Sequence, residues 1–96
     1  MSNAVDYRAY MGSDHKVYVT VYEIRYKDGR LKPKYLIWED GVPYKIDKVV
    51  DIYPAASHIA GGAGMCYVIR VKGNVRKIYF EGDRTGGKWF VERKTS

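Results

Sequence analysis

Few residues in this chain could make or break bonds. Ser57 and His58 are adjacent and Cys66 follows a little further on, so a nucleophile and a base occur in one stretch. Adjacent residues on an extended chain point apart, however, and no third residue stands in place to orient the imidazole. Among the carboxylates, Glu39 and Asp40 precede Gly41, where turn formation accounts for them. Asp47 and Asp51 share one face of a strand, but Lys45 and Lys48 flank Asp47, which suits a solvated ion-pair surface better than acid-base work. With His15 and His58 as the only histidines and a single cysteine, a transition-metal site is not expected, and no internal disulfide can form. These residues predict a protein that is not an enzyme and takes no cofactor.

Binding chemistry is better represented. Seventeen Lys and Arg against 11 Asp and Glu give a net charge of +6, which favours polyanionic partners through long-range, salt-sensitive attraction. Charge of this size also serves simply to keep a small domain in solution. A glycine-rich run, Ala60-Gly61-Gly62-Ala63-Gly64, could present successive backbone N–H groups to an anion, with Gly61, Gly62 and Gly64 as the candidates. It lacks the Gly-Lys-Ser/Thr of a phosphate-binding loop and leads into a strand, so a close-packed bend is the competing reading.

The elements that must position these groups are strands. Ninety-six residues, including ten tyrosines, two tryptophans and two phenylalanines, make one domain closed by large rings. No apolar run reaches the roughly 20 residues that span a membrane, and the start lacks the order of a secretory signal, so a cytoplasmic protein with no membrane partner is expected. Ser2-Asn3-Ala4 reads as a cloning scar, and residues 1–14 as an irregular segment ahead of a single β-barrel domain over 15–94. In residues 16–26, Val17, Val19 and Val21 alternate with Tyr18, Thr20 and Tyr22, the two-residue period of a strand.

Turn signals then set the register. A two-residue turn at Asp28-Gly29 would pair Val19 with Trp38, Val21 with Leu36 and Glu23 with Lys34, and would place Pro33 at an edge or bulge. Residues 35–53 read as a central hairpin turning at Glu39-Asp40-Gly41, its long second strand bulged at Val49-Val50. A turn at Gly73-Asn74 would pair Tyr67 with Phe80, Ile69 with Ile78 and Val71 with Arg76 on the core face. The other face would carry Val68 with Tyr79, Arg70 with Lys77 and Lys72 with Val75. Pairing Glu81 with Lys88 would bring Trp89 opposite Phe80, Val91 opposite Ile78 and Glu92 opposite Lys77. The expected fold is all-β: about six antiparallel strands with short turns, closing as an SH3-like or meander barrel.

On this register the outward face of the last three strands combines Arg70, Lys72 and Lys77 with Tyr79 and Phe90. Arg70 directly opposite Lys77 is a repulsive pair that an anion would relieve, and the two rings could stack on exposed bases. These five residues are the nucleic-acid-binding candidates, with DNA or RNA as partner. Compensation of Lys77 by Glu92, and ordinary ring packing, are the structural alternative.

Several segments resemble a family of small uncharacterised bacterial proteins: Ile37-Trp38-Glu39-Asp40-Gly41, Tyr44-Lys45-Ile46-Asp47-Lys48-Val49, Pro54-Ala55-Ala56-Ser57, Ala60-Gly61-Gly62-Ala63-Gly64 and Lys88-Trp89-Phe90-Val91-Glu92. Some members of that family are encoded beside Y-family DNA polymerases. The resemblance implies an accessory role in DNA repair or damage tolerance, with a DNA-processing protein as a further partner, and carries over no catalytic residues. An interaction module or homodimer joined through an exposed strand edge is the alternative.

Overall fold

Alternating β-branched and aromatic residues carry most of the described residues into strand, and the turns fold those strands into one antiparallel sheet. The computed structural model describes residues 14–55, 64–83 and 86–94. Among them are seven strands: β1 (Asp14–Arg25), β2 (Leu31–Ile37), β3 (Pro43–Lys45), β4 (Lys48–Pro54), β5 (Met65–Val71), β6 (Asn74–Asp83) and β7 (Gly86–Lys94). The sheet order is β3-β2-β1-β7-β6-β5-β4, curled into a half-barrel. The protein is all-β and barrel-like, as its sequence predicts. No helix among the described residues is long and apolar enough to cross a membrane.

Strand β1 is long because it serves two neighbours. Its first half pairs with β7, from Asp14 opposite Lys94 to Val19 opposite Trp89, and its second half pairs with β2, from Thr20 opposite Ile37 to Arg25 opposite Leu31. The expected pairing of Val21 with Leu36 holds. Nearer the turn the register slips by one, because Tyr26 N–H donates to Arg30 O at 2.9 Å and leaves Lys27, Asp28 and Gly29 in the loop. A bulge then absorbs the extra residue: Tyr22 faces Tyr35, Glu23 faces Pro33, and Lys34 stands unopposed. Pro33 sits at this irregularity, where its missing N–H costs no ladder bond, and is fully buried.

Residues 35–53 are not a central hairpin. Their second strand divides into β3, which pairs with β2, and β4, which pairs with β5, so this segment supplies both outer edges of the sheet and raises the strand count to seven. Ile46 and Asp47 between them tie the edges together: Ile46 N–H donates to Lys34 O and Asp47 N–H to Arg70 O, both at 2.9 Å. The expected bulge is present, with Val49 opposite Ile69, Asp51 opposite Val68 and Val50 extra.

The β5–β6 hairpin turns at Lys72-Gly73 rather than Gly73-Asn74. Lys72 (φ 50°) and Gly73 (φ 78°) both occupy the left-handed region, the pattern that matches the twist of a tight hairpin. The register therefore shifts by two: Tyr67 faces Ile78, Ile69 faces Arg76 and Val71 faces Asn74. A two-residue shift keeps every side chain on its expected face. In β6–β7, Glu81 faces Lys88, Phe80 faces Trp89 and Tyr79 faces Phe90, as the sequence suggests.

The concave face holds the main core, in which Leu36, Ile46, Tyr67, Ile69, Val71, Ile78, Phe80, Trp89 and Val91 are buried together. Trp89 packs against Tyr67 and Phe80 with ring centroids 5.0 Å away in each case. All three prolines lie where the ladder has no neighbouring strand on one side: Pro33, though buried, where β2 runs beyond β3, Pro43 on edge strand β3 and Pro54 on edge strand β4. Prolines and the Val50 bulge make these edges poor templates for strand addition.

Candidate nucleic-acid interface

The convex face of the sheet does not present open rings. One register row crosses five strands, from Tyr18 to Phe90, Tyr79, Cys66 and Tyr53. Phe90 and Cys66 are fully buried, and Tyr79 is buried beside them, in a second, smaller apolar cluster with Tyr53, Ala55 and Val68 at its margin. Tyr79 stacks on Phe90 at 5.1 Å with only 14° between the planes, and Tyr18 meets Phe90 edge-on. Tyr79 and Phe90 are therefore packed side chains and not platforms for bases. Burial, followed by the neighbouring Glu92 carboxylate, pushes the Tyr79 phenol well above its ordinary range, and its hydroxyl donates to Glu92 Oε1 at 3.1 Å.

On this face Lys16 is matched by a carboxylate. Lys16 Nζ donates to Glu81 Oε1 at 2.8 Å, which raises the lysine's pKa, and the same ammonium lies 4.8 Å from the Phe90 ring centroid. Lys77 is opposite Val68, not Arg70, and a hydrogen bond with the Tyr53 hydroxyl raises its pKa. Lys72 is carried away to the hairpin tip, over the Tyr44 ring at 5.2 Å. Arg70, Lys72 and Lys77 are all exposed, whereas Tyr79 and Phe90 are buried. Gly61, Gly62, Ser57 and His58 lie outside the described residues. Gly64 is described, and its carbonyl accepts the Ala55 N–H at 2.8 Å, joining the end of β4 to the approach to β5.

The like-charge pair expected around Arg70 exists with a different partner. Arg70 stands directly opposite Lys48 in the β4–β5 ladder. Lys48 in turn lies on the rim of an open groove of about 980 Å³ at one end of the half-barrel. The groove is bounded by the β1–β2 turn, the Ile46-Asp47 junction and the adjoining ends of β5 and β6. Among the described residues six cations line it, Arg25, Arg30, Lys32, Lys34, Lys45 and Lys48, and Asp47 is the one carboxylate, whose Oδ2 accepts the Lys72 N–H at 3.3 Å.

Two of the six cations are partly neutralised. Arg30 Nε donates to Asp28 Oδ2 at 2.8 Å, and the Arg25 guanidinium lies 3.8 Å from Glu23. Asp28 is held below the usual carboxylate range, first by the Arg30 backbone N–H and then by its side chain. Among the described residues, Lys32, Lys34, Lys45 and Lys48 have no carboxylate within salt-bridge distance. The walls and floor are apolar and aromatic, with Leu31, Met65, Tyr67 and Phe80 below and Tyr26 at the rim under the Arg30 guanidinium, 4.8 Å from its ring.

The basic cluster read from the sequence comes from three consecutive strands. The groove gathers cations from β1, β2, β3, β4 and the β1–β2 turn. A signal was present in the alternation Arg30-Leu31-Lys32-Pro33-Lys34, whose cations recur at every second residue of one short strand. No protein-family model matches the chain, and comparison with curated proteins and with solved structures returned no match. Fold and groove define it as a small basic all-β half-barrel.

Proposed function

We propose that this protein is a non-enzymatic binding module that holds single-stranded nucleic acid in the cationic groove at the end of the half-barrel. One observation carries the reading: among the described residues, six cations and one carboxylate converge on a groove floored by aromatic and apolar side chains. Proteins that hold single strands combine these two features, a positive channel that follows the backbone and rings that accept bases of any sequence. The apolar and aromatic floor offers surface to unpaired bases, which a duplex keeps stacked inside, so single strands are the preferred form. The bulge at Lys34 and the loop at Gly29 support the arrangement, since they let Lys32, Lys34 and Arg30 crowd onto one margin despite their repulsion. An accessory role in DNA damage tolerance, implied by the resemblance above, belongs to the same proposal.

The test is a titration of fluorescent single- and double-stranded oligonucleotides by anisotropy over a range of salt concentrations. Binding to single strands that falls steeply with salt, and weaker binding to duplex, is the expected result. Undetectable binding of any oligonucleotide at low salt would remove the proposal.

A further inference from the structure

A second concave site lies at the other end of strands β2, β5 and β6 and shares no residue with the cationic groove. It is a pocket of about 330 Å³, near the lower end of the roughly 300–1,000 Å³ typical of small-molecule sites. Its floor is apolar, built from the buried Leu36 and Val71, and its walls are the half-buried rings of Trp38 and Tyr44. At its rim stand Lys72 and Arg76.

The Tyr44 wall is held by two contacts. The Tyr44 hydroxyl donates to Asp40 Oδ2 at 2.9 Å, which sets its ring, and Lys72 Nζ rests 5.2 Å from that ring's centroid. The left-handed backbone at Lys72 places its side chain on the pocket rim, and Asp47 Oδ2 accepts its N–H. Among the described residues, no acidic side chain lines the pocket. Among the described residues, Arg76 meets no carboxylate and the Trp38 indole N–H meets no acceptor. Trp89 shows the contrast, its indole N–H donating to Glu23 Oε1 at 2.6 Å.

We infer that this pocket binds a small molecule joining one carboxylate to a flat apolar body. The guanidinium of Arg76 presents a planar fork matched to a carboxylate, and the Lys72 ammonium adds a second, directionally flexible donor. The two rings accept the flat body over the apolar floor, which supplies the transfer energy that a bare inorganic anion would not gain. The Trp38 indole N–H is left as a further donor on the pocket wall.

Phenylacetate is the probe, phenylacetamide its neutral counterpart, and two-dimensional ¹H–¹⁵N spectra of the full chain the readout. Phenylacetate at millimolar concentration should shift the Trp38 indole cross-peak saturably and leave that of Trp89 in place. Phenylacetamide should leave both unmoved. Arg76→Gln should weaken binding about tenfold, the scale of one hydrogen bond to a charged group. Lys72→Asn, which keeps a residue that tolerates the left-handed turn, should weaken it as well. An unmoved Trp38 signal, an equal response to the amide, or unchanged affinity in both variants would overturn the inference. Phenyl phosphate binding more tightly than phenylacetate would overturn the assignment to a carboxylate.

Discussion

The Trp89 indole N–H donates to Glu23 Oε1 at 2.6 Å, and this single bond spans the place where β1 leaves β7 to pair with β2. Beyond Val19 and Trp89 the two strands are no longer paired, and the β1–β2 hairpin leans out to form one wall of the cationic groove. The bond connects that wall to the core, because Trp89 is buried against Tyr67 and Phe80. Replacing Glu23 by Ala would leave a buried indole N–H without its charged acceptor, at a cost of about 1.5–3 kcal/mol. Glu23→Gln keeps a neutral acceptor and should lose less. Urea denaturation of the two variants checks the difference.

The close approach of β6 and β7 near Gly82 and Gly87 predicts a second sensitivity. These glycines face each other in the ladder with the Phe80 ring lying against both. A Cβ at Gly87 would stand 2.5 Å from Phe80 Cζ and 2.8 Å from the Gly82 Cα, and closer still to the Glu81 carbonyl oxygen. Gly87→Ala should therefore destabilise the protein by roughly 1–3 kcal/mol, the usual cost of overpacking, or more if the backbone must move. Calorimetric melting of Gly87→Ala beside Gly41→Ala separates crowding from backbone strain, since a Cβ at Gly41 (φ 79°) meets nothing within 4 Å.

At the β5–β6 turn the prediction has the opposite sign. Lys72 adopts φ 50°, a conformation that Asn tolerates better than Lys. Lys72→Asn should leave stability unchanged or slightly raised, whereas Gly73→Ala, at φ 78°, should lower it by about 1 kcal/mol. Thermal melts of both variants distinguish the positions.

High pH should unfold the protein partly through its tyrosines. Tyr79 holds its proton more tightly when folded, because of burial and the nearby Glu92 carboxylate, and burial does the same for Tyr67. The unfolded chain loses these protons at about pH 10, while the folded protein keeps them to higher pH. Stability from these groups is thus complete below that value and is lost as pH rises from it through the folded pKa values. Tyr79→Phe should flatten the decline in stability above pH 10. Denaturant midpoints across the alkaline range provide the measurement.

For the groove, the expected signature is electrostatic. Each lysine that contacts phosphate contributes about 0.7 to the salt slope for single strands. Lys32→Ala and Lys34→Ala should each reduce the slope by about that amount and weaken binding to all sequences alike. Tyr26→Ala should cost about 1–3 kcal/mol of affinity with a smaller effect on slope, the pattern of a stacking ring. Arg70→Ala, one ladder position from the rim through Lys48, should have an intermediate effect. Salt-dependent anisotropy of the four variants compares them directly.

Local chemistry made much of the architecture legible. Alternation in β1, the Val50 bulge, the Glu81–Lys88 register and the face assignment of every residue in β5 and β6 follow from side-chain period and turn residues, which act over a few positions. The sequence by itself also determined that Pro33 would fall where the ladder is irregular, because a residue without an N–H cannot sit elsewhere at no cost. Which strands become neighbours was settled only by the tertiary structure. Curling brings β3 and β4, adjacent in sequence, to opposite edges and ties them through Lys34 and Arg70. That closure also gathers Lys32, Lys34, Lys45 and Lys48 around one groove, while Tyr79 and Phe90 are buried in a separate cluster on the other face. A strand's period tells which face a side chain takes, but not whether that face will be covered, since covering depends on chain segments distant in sequence.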